Sequence, residues 1–244
     1  MIIVVNGVYK TQSTLIYLIF LNLFNQKNKL NGLEDFLDLN QEFNLNIYEN
    51  YENIKAIINE PYVAKIHSFK VDFLKKLPKK FTITTDRNNL DIINSHYHHY
   101  INEKQNVGFY EYFLKIGFIK LIEIEIYKFY AKKFSSMVIN YTKDKSILCS
   151  EIFKFLRGAE LSHKFSIQDI EQAYDKSYIK DGSSEFMGKK RPWFNNRKSI
   201  RSKSRLVIVR TSEMIIGFLI IIPFIRAALR WFLAFLPGRN RGRL

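Results

Sequence analysis

Three short runs of residues have the types and spacing that hold or transfer anionic groups. The first is Gly7-Val8-Tyr9-Lys10-Thr11-Gln12-Ser13-Thr14, set between the β-branched run Ile2-Ile3-Val4-Val5 and an apolar stretch. A helix starting here aims unpaired N–H groups and the positive end of its dipole past Thr11 to Thr14, with Lys10 and the hydroxyls alongside, which makes a cradle for phosphate. An ordinary strand-to-helix turn with an exposed lysine is the competing reading. The run is not a Walker A loop, because Tyr9 and Val4 stand where that loop needs glycine.

The second run leads from Phe81-Thr82-Ile83-Thr84-Thr85 through Asp86 and Arg87 to Ser95. A strand over 81–85 delivers Arg87 to the carboxyl edge of a sheet, where open α/β folds hold ligands. Ser95 comes eight residues later, so guanidinium and hydroxyl meet on one phosphate if the intervening loop folds back toward a helix. Taken alone, Arg87 is a surface salt-bridge residue, and Asp86 has the type of a Walker B acid. The third element is His67, at the end of the strand candidate Tyr62-Val63-Ala64-Lys65-Ile66-His67. An imidazole has an ordinary pKa of about 6.5 and suits a general base, or it is a hydrogen-bonded structural residue. His96 and His99 share a helical face without a third ligand nearby, so no metal is expected and these histidines read as surface or acceptor-cleft residues.

These side chains need a scaffold. Ile2 to Val5 lacks alternation, as a strand buried on both faces does, and strand candidates at 62–67, 81–85 and 136–141 alternate with helical patterns at 11–25, 86–102, 107–134 and 146–156. That alternation predicts an α/β fold with a central parallel sheet flanked by helices. Residues 26–59 are polar, acidic and rich in Asn, and read as surface helix and loop.

In this order the segments resemble the cytosolic-type sulfotransferases that use 3′-phosphoadenosine 5′-phosphosulfate. That family's Pro-Lys-Ser-Gly-Thr-Thr loop after the first strand is similar to Tyr9-Lys10-Thr11-Gln12-Ser13-Thr14, its Lys-Thr-His strand end to Lys65-Ile66-His67, and its Arg-(Asn/Asp)-Pro-x-Asp followed by Ser to Arg87-Asn88-Asn89-Leu90-Asp91 and Ser95. Val138 to Asp144 and Ile152 to Gly158 resemble the family's Tyr-Glu-Asp-Leu strand and Phe-Leu-Gly helix, and Gly188-Lys189-Lys190-Arg191-Pro192-Trp193 its basic-glycine motif, or else a basic linker. Gln12 replaces the loop glycine, Tyr9 its proline and Asn89 the second proline. The resemblance covers residues 1–160 and implies a three-layer, P-loop-like domain over 1–205. It implies that Lys10 and His67 are catalytic. Lys10, Thr11, Gln12, Ser13 and Thr14 would hold the 5′-phosphosulfate, and Arg87, Ser95, Lys189, Lys190 and Arg191 the 3′-phosphate, without a metal. Sulfuryl transfer to a hydroxyl or amine of a small-molecule, lipid or glycan acceptor is then the expected activity. A P-loop-type kinase using Lys10 and Asp86, and an inert membrane-binding protein, are the alternatives.

Charge separates the rest of the chain from this domain. The 244 residues carry a net charge of +15. From Met187 onward there are 14 Lys and Arg against one acid, Glu213, a net +13; the first 186 residues hold 24 against 22, a net +2. With 47% hydrophobic and 25% charged residues, the sequence fits neither a disordered chain nor a multispanning membrane protein. Confinement of the charge beside an apolar run points to lipid rather than nucleic acid, whose groove needs basic residues across a folded face. Met214 to Leu236 is long enough at about 1.5 Å per residue to cross a ~30 Å hydrocarbon core. Arg226 and Arg230 interrupt it at a cost, so a basic, apolar tail over 206–244 is expected to lie at the interface as an amphipathic or shallow re-entrant helix. Phe224, Trp231, Phe232 and Phe235 would sit in the headgroup boundary of an anionic membrane, on its cytoplasmic face. A C-terminal anchor, or a core or interface helix, are the other readings. Cys149 is alone, which excludes a disulfide framework and suits a reducing compartment.

Overall fold

Strand β1 (Ile2–Gly7) lies at the middle of the sheet, paired in parallel with β2 (Tyr62–Ile66) on one side and β3 (Lys80–Asp86) on the other. β4 (Met137–Asn140) pairs in parallel with the outer side of β3, so the order is β2-β1-β3-β4. The computed structural model describes residues 2–7, 11–24, 62–66, 80–104, 107–177, 183–186, 189–192 and 203–235. An α/β architecture with a parallel sheet between helices is what the alternating pattern predicted.

The two faces of the sheet are covered differently. On one face α1 (Ser13–Leu23) is apolar on every side, and nine of its eleven residues are buried, which makes it a core helix rather than a surface one. It packs with α5 (Lys145–Gly158) and α6 (Ile167–Ser177) over Ile3, Val5, Ile83 and Ile139. The other face of β3 presents Thr82 and Thr84, both buried, and Thr84 donates to the Ala131 carbonyl of α4 (Phe118–Phe134). There Tyr127 donates its hydroxyl to the buried side chain of Asn6 on β1. Beyond this polar seam, α2 (Asn89–Lys104), α3 (Phe109–Tyr112), a π-helical turn (Phe113–Gly117) and α4 build a second apolar cluster.

Three features depart from the sequence reading. Helix α6 had no counterpart in the predicted elements, and the run at 107–134 is divided by the π-turn. A hairpin of β5 (Ser183–Phe186) and β6 (Lys189–Pro192) occupies the basic-glycine segment. The apolar tail forms two helices, α7 (Lys203–Ile221) and α8 (Pro223–Phe235), bent by 111°. Pro223 starts α8, where its missing N–H costs nothing and its ring forbids continuation of α7. No single described helix is long and apolar enough to cross a membrane, although the bent pair passes on length and composition. α7 begins before residue 206, and Val209, Ile216 and Ile220 of α7 with Leu233 of α8 are buried in the second cluster.

Candidate functional site

The chain leaves β1 for β2 on one side and then crosses to β3 on the other, so the carboxyl ends of β1 and β3 flank a point where the winding direction reverses. Such points hold ligands in open parallel sheets. Gly7 and Thr85 are register partners there. A Cβ on Gly7 would stand 2.1 Å from the Cβ of Ser13 and 2.4 Å from Oγ1 of Thr85, so glycine alone lets the start of α1 sit against the strand ends. Thr11 and Thr85 join their hydroxyls at 2.5 Å across the same junction.

Gln12 takes φ 74°, a left-handed conformation that favours glycine, and it stands at the position of the family's loop glycine. Its side chain supplies what glycine would not. Nε2 donates to the Thr142 carbonyl at 2.9 Å, and Oε1 accepts from the Thr142 N–H at 3.3 Å. Gln12, the N-cap residue of α1, makes no side-chain cap bond, and Ser13 and Thr14 open the first turn. Lys65 of β2 donates to Oγ1 of Thr14 at 2.7 Å and brings a cation to this turn. The sequence reading used Lys65 only as part of a motif; its place two residues before His67 on a strand parallel to β1 was the signal. Lys10 and His67 lie outside the described residues.

Beyond Thr85, Asp86 receives Lys128 and Lys132 of α4, each at 2.7 Å. Burial alone would raise the Asp86 carboxyl, but hydrogen bonds and charge from both lysines hold it below its ordinary value. An acid engaged this way differs from a Walker B carboxylate reserved for a metal ion. Arg87 lies with its guanidinium 4.1 Å above the Tyr141 ring, next to the residue that clamps Gln12. Both motifs therefore converge on the segment after β4.

Ser95 does not join them. α2 starts at Asn89, so no loop folds back between Arg87 and Ser95, and Ser95 is half-buried along the helix, away from the cavity described next. His96 is held by the Tyr112 hydroxyl at 2.7 Å, a structural contact between α2 and α3. Among the described residues no three His, Cys, Asp or Glu side chains gather as a metal site. Lys189, Lys190 and Arg191 lie on β6, and their side chains are outside the described residues.

A cavity of about 670 Å³ opens beside Arg87, lined by Asp86, Asn89, Glu125, Lys128, Tyr141 and, from the tail, Glu213. The amide of Asn89, 4% exposed, donates to Glu125. Burial raises the Glu213 carboxyl, and the nearby Glu125 adds to the effect. Gly217, one turn after Glu213, also faces the cavity, and a Cβ built there meets nothing within 4 Å. The sequence reading did not find this acid pair. The only signal was that Glu213 is the single acid among 14 basic residues.

No family model, curated protein or solved structure matches the chain.

Proposed function

We propose that the chain is a 3′-phosphoadenosine 5′-phosphosulfate-dependent sulfotransferase of P-loop-like fold that works at an anionic membrane surface. The observation that carries the reading is the convergence of the loop at 11–14 and Arg87 on one sheet edge, at the ends of adjacent parallel strands, in the order that the resemblance requires. The co-substrate supplies the sulfuryl group. The first-turn amides of α1 with Ser13 and Thr14 bind its 5′-phosphate, and Arg87 binds the 3′-phosphate. Lys10 neutralises charge that develops on the leaving phosphate, with Lys65 as a second cation, and His67 takes the acceptor's proton. The pairing of Asp86 with two lysines favours this reading over the kinase.

The tail supports the membrane part. Met214, Ile215, Phe218, Ile221 and Phe224 form an exposed apolar stripe, with Met214 at 75%. Arg226 and Arg230, which interrupt the apolar run, are turned back over Phe129 and Tyr130 of α4 at 4.3 and 4.7 Å, so neither has to enter hydrocarbon. Titration calorimetry with 3′-phosphoadenosine 5′-phosphate tests the nucleotide site. Binding should occur without Mg²⁺, and Arg87→Ala should weaken it by about tenfold or more, the worth of one charge-assisted contact to phosphate. Mg²⁺-dependent binding of ATP instead would overturn the proposal.

A further inference from the structure

Gln12 combines a strained backbone with a side chain turned away from the cavity. At φ 74° it holds the left-handed conformation that glycine takes freely and other residues take at a cost, and such strain persists where the surroundings over-determine it. Arg87 and Tyr141 line the cavity, whereas Gln12 and Thr142 do not. The Gln12 amide meets the backbone of Thr142 instead, donating from Nε2 to the carbonyl and accepting at Oε1 from the N–H. Donor and acceptor of one side chain thus grip both polar groups of one residue, which fixes orientation as well as distance.

Thr142 belongs to a turn that is held from several sides. One residue earlier, the Tyr141 N–H donates to the Asp86 carbonyl at 2.7 Å, just past the register pair Asp86 and Asn140, and the Tyr141 ring lies under the Arg87 guanidinium. Two residues later, the Asp144 N–H donates to Oγ1 of Thr142 at 3.0 Å, and the Asp144 carboxylate caps α5 by accepting from the Ile147 N–H. Arg87 is fixed through its own backbone as well: its N–H donates to Oδ1 of Asp86 at 2.8 Å, and its carbonyl accepts from Lys128 at 2.6 Å. At the other end, the Gln12 carbonyl accepts the first helical bond of α1 from the Ile16 N–H at 3.2 Å. A continuous path of contacts therefore runs from the first turn of α1 through Gln12, Thr142 and Tyr141 to Arg87.

We infer that Gln12 is a positioning residue that sets the spacing between the phosphate loop at 11–14 and Arg87, and so selects nucleotides phosphorylated at both the 5′ and 3′ positions over those carrying the 5′-phosphate alone. The inference rests on the proposed function for the identity of the two anion sites, and it adds the residue that holds them in register. Two phosphates on one ribose reinforce each other only where the two sites match their separation; a loop free to shift can still make either contact but loses the joint gain. Glycine at position 12 would accept the backbone without strain and could not make the grip.

Calorimetry on the full chain with 3′-phosphoadenosine 5′-phosphate and with adenosine 5′-phosphate reads that gain as a ratio of affinities. The wild type should favour the doubly phosphorylated nucleotide by about tenfold or more. Gln12→Gly removes grip and strain together and should bring the ratio down to about threefold or less. Gln12→Met keeps the side-chain length without the amide and should lower the ratio too, so the test does not hang on one variant folding. Tyr141→Leu removes the ring beneath Arg87 and should act from the other end of the path, with the Gln12→Gly, Tyr141→Leu double variant losing no more than either single one. A merely structural Gln12 would lower both affinities alike, so a ratio unchanged in Gln12→Gly and Gln12→Met would overturn the inference and leave the nucleotide site standing. Losses that add in the double variant would sink the path from Gln12 to Arg87. A wild type that binds the two nucleotides equally, or neither, would remove the 3′-phosphate site itself, and the inference with it.

Discussion

Two glycines at one sheet edge show opposite uses of the same residue. At Gly7 there is no room at all: a methyl group would overlap Ser13 and Thr85, and the Thr11 and Thr85 hydroxyls are joined across the same junction. At Gly217 there is room to spare, because the missing side chain borders the cavity. The first glycine brings two pieces of backbone together, and the second keeps space open between two helices. The start of α1 is accordingly packed hard against the strand ends. The volume for a ligand lies beneath the tail helix.

The largest way to break this contrast is Gly7→Ala, which should lower stability in urea denaturation by about 3 kcal/mol, the upper range for forced overpacking. A change much smaller than that would mean α1 can retreat from the strand. Next is Lys128→Ala, which removes one of the two cations on Asp86 and should cost about 1–2 kcal/mol at neutral pH, since the pair is partly exposed. Its sign with pH is fixed by the depressed carboxyl. The stabilisation is present above the ordinary value of 3.8 and is lost as pH falls through the lower folded value, so the wild type should lose its advantage over the variant in acid. The smallest effect is at Gly217. Alanine there should raise stability by about 0.5–1 kcal/mol, as for glycine in any helix interior. Leucine should leave the fold intact yet reduce binding of 3′-phosphoadenosine 5′-phosphate, and unchanged binding would show that the cavity beside Arg87 is not part of the nucleotide site.

What was readable in the sequence follows from the range of the forces involved. β1 and α1 are encoded by contiguous apolar residues, so their type and rough limits were plain from Ile2 to Phe24. α6 was equally local and still missed, although Ser166 and Asp169 form a reciprocal cap: the Asp169 N–H donates to Oγ of Ser166, and the Ser166 N–H donates to Asp169 Oδ2. That spacing was available to inspection. The cavity was not, because Asn89, Glu125 and Glu213 belong to three helices and no pattern in any one of them announces the others. Gln12 is the instructive intermediate case. Its departure from glycine was visible at once, but the compensation comes from Thr142, 130 residues away.

The placement of β1 also has a meaning in time. It is the central strand of the sheet and the earliest in the chain, yet Ile2 finds its neighbours at Tyr62 and Lys80. Between synthesis of Ile2 and Lys80 lie 78 residues, which at ribosomal rates of about 5–20 residues per second is on the order of 4–16 s. Until β2 is made a run of Ile, Ile, Val and Val has neither edge paired, and until β3 is made one edge stays open, so the nascent chain depends on α1 or on a chaperone to keep it from pairing with another copy of itself.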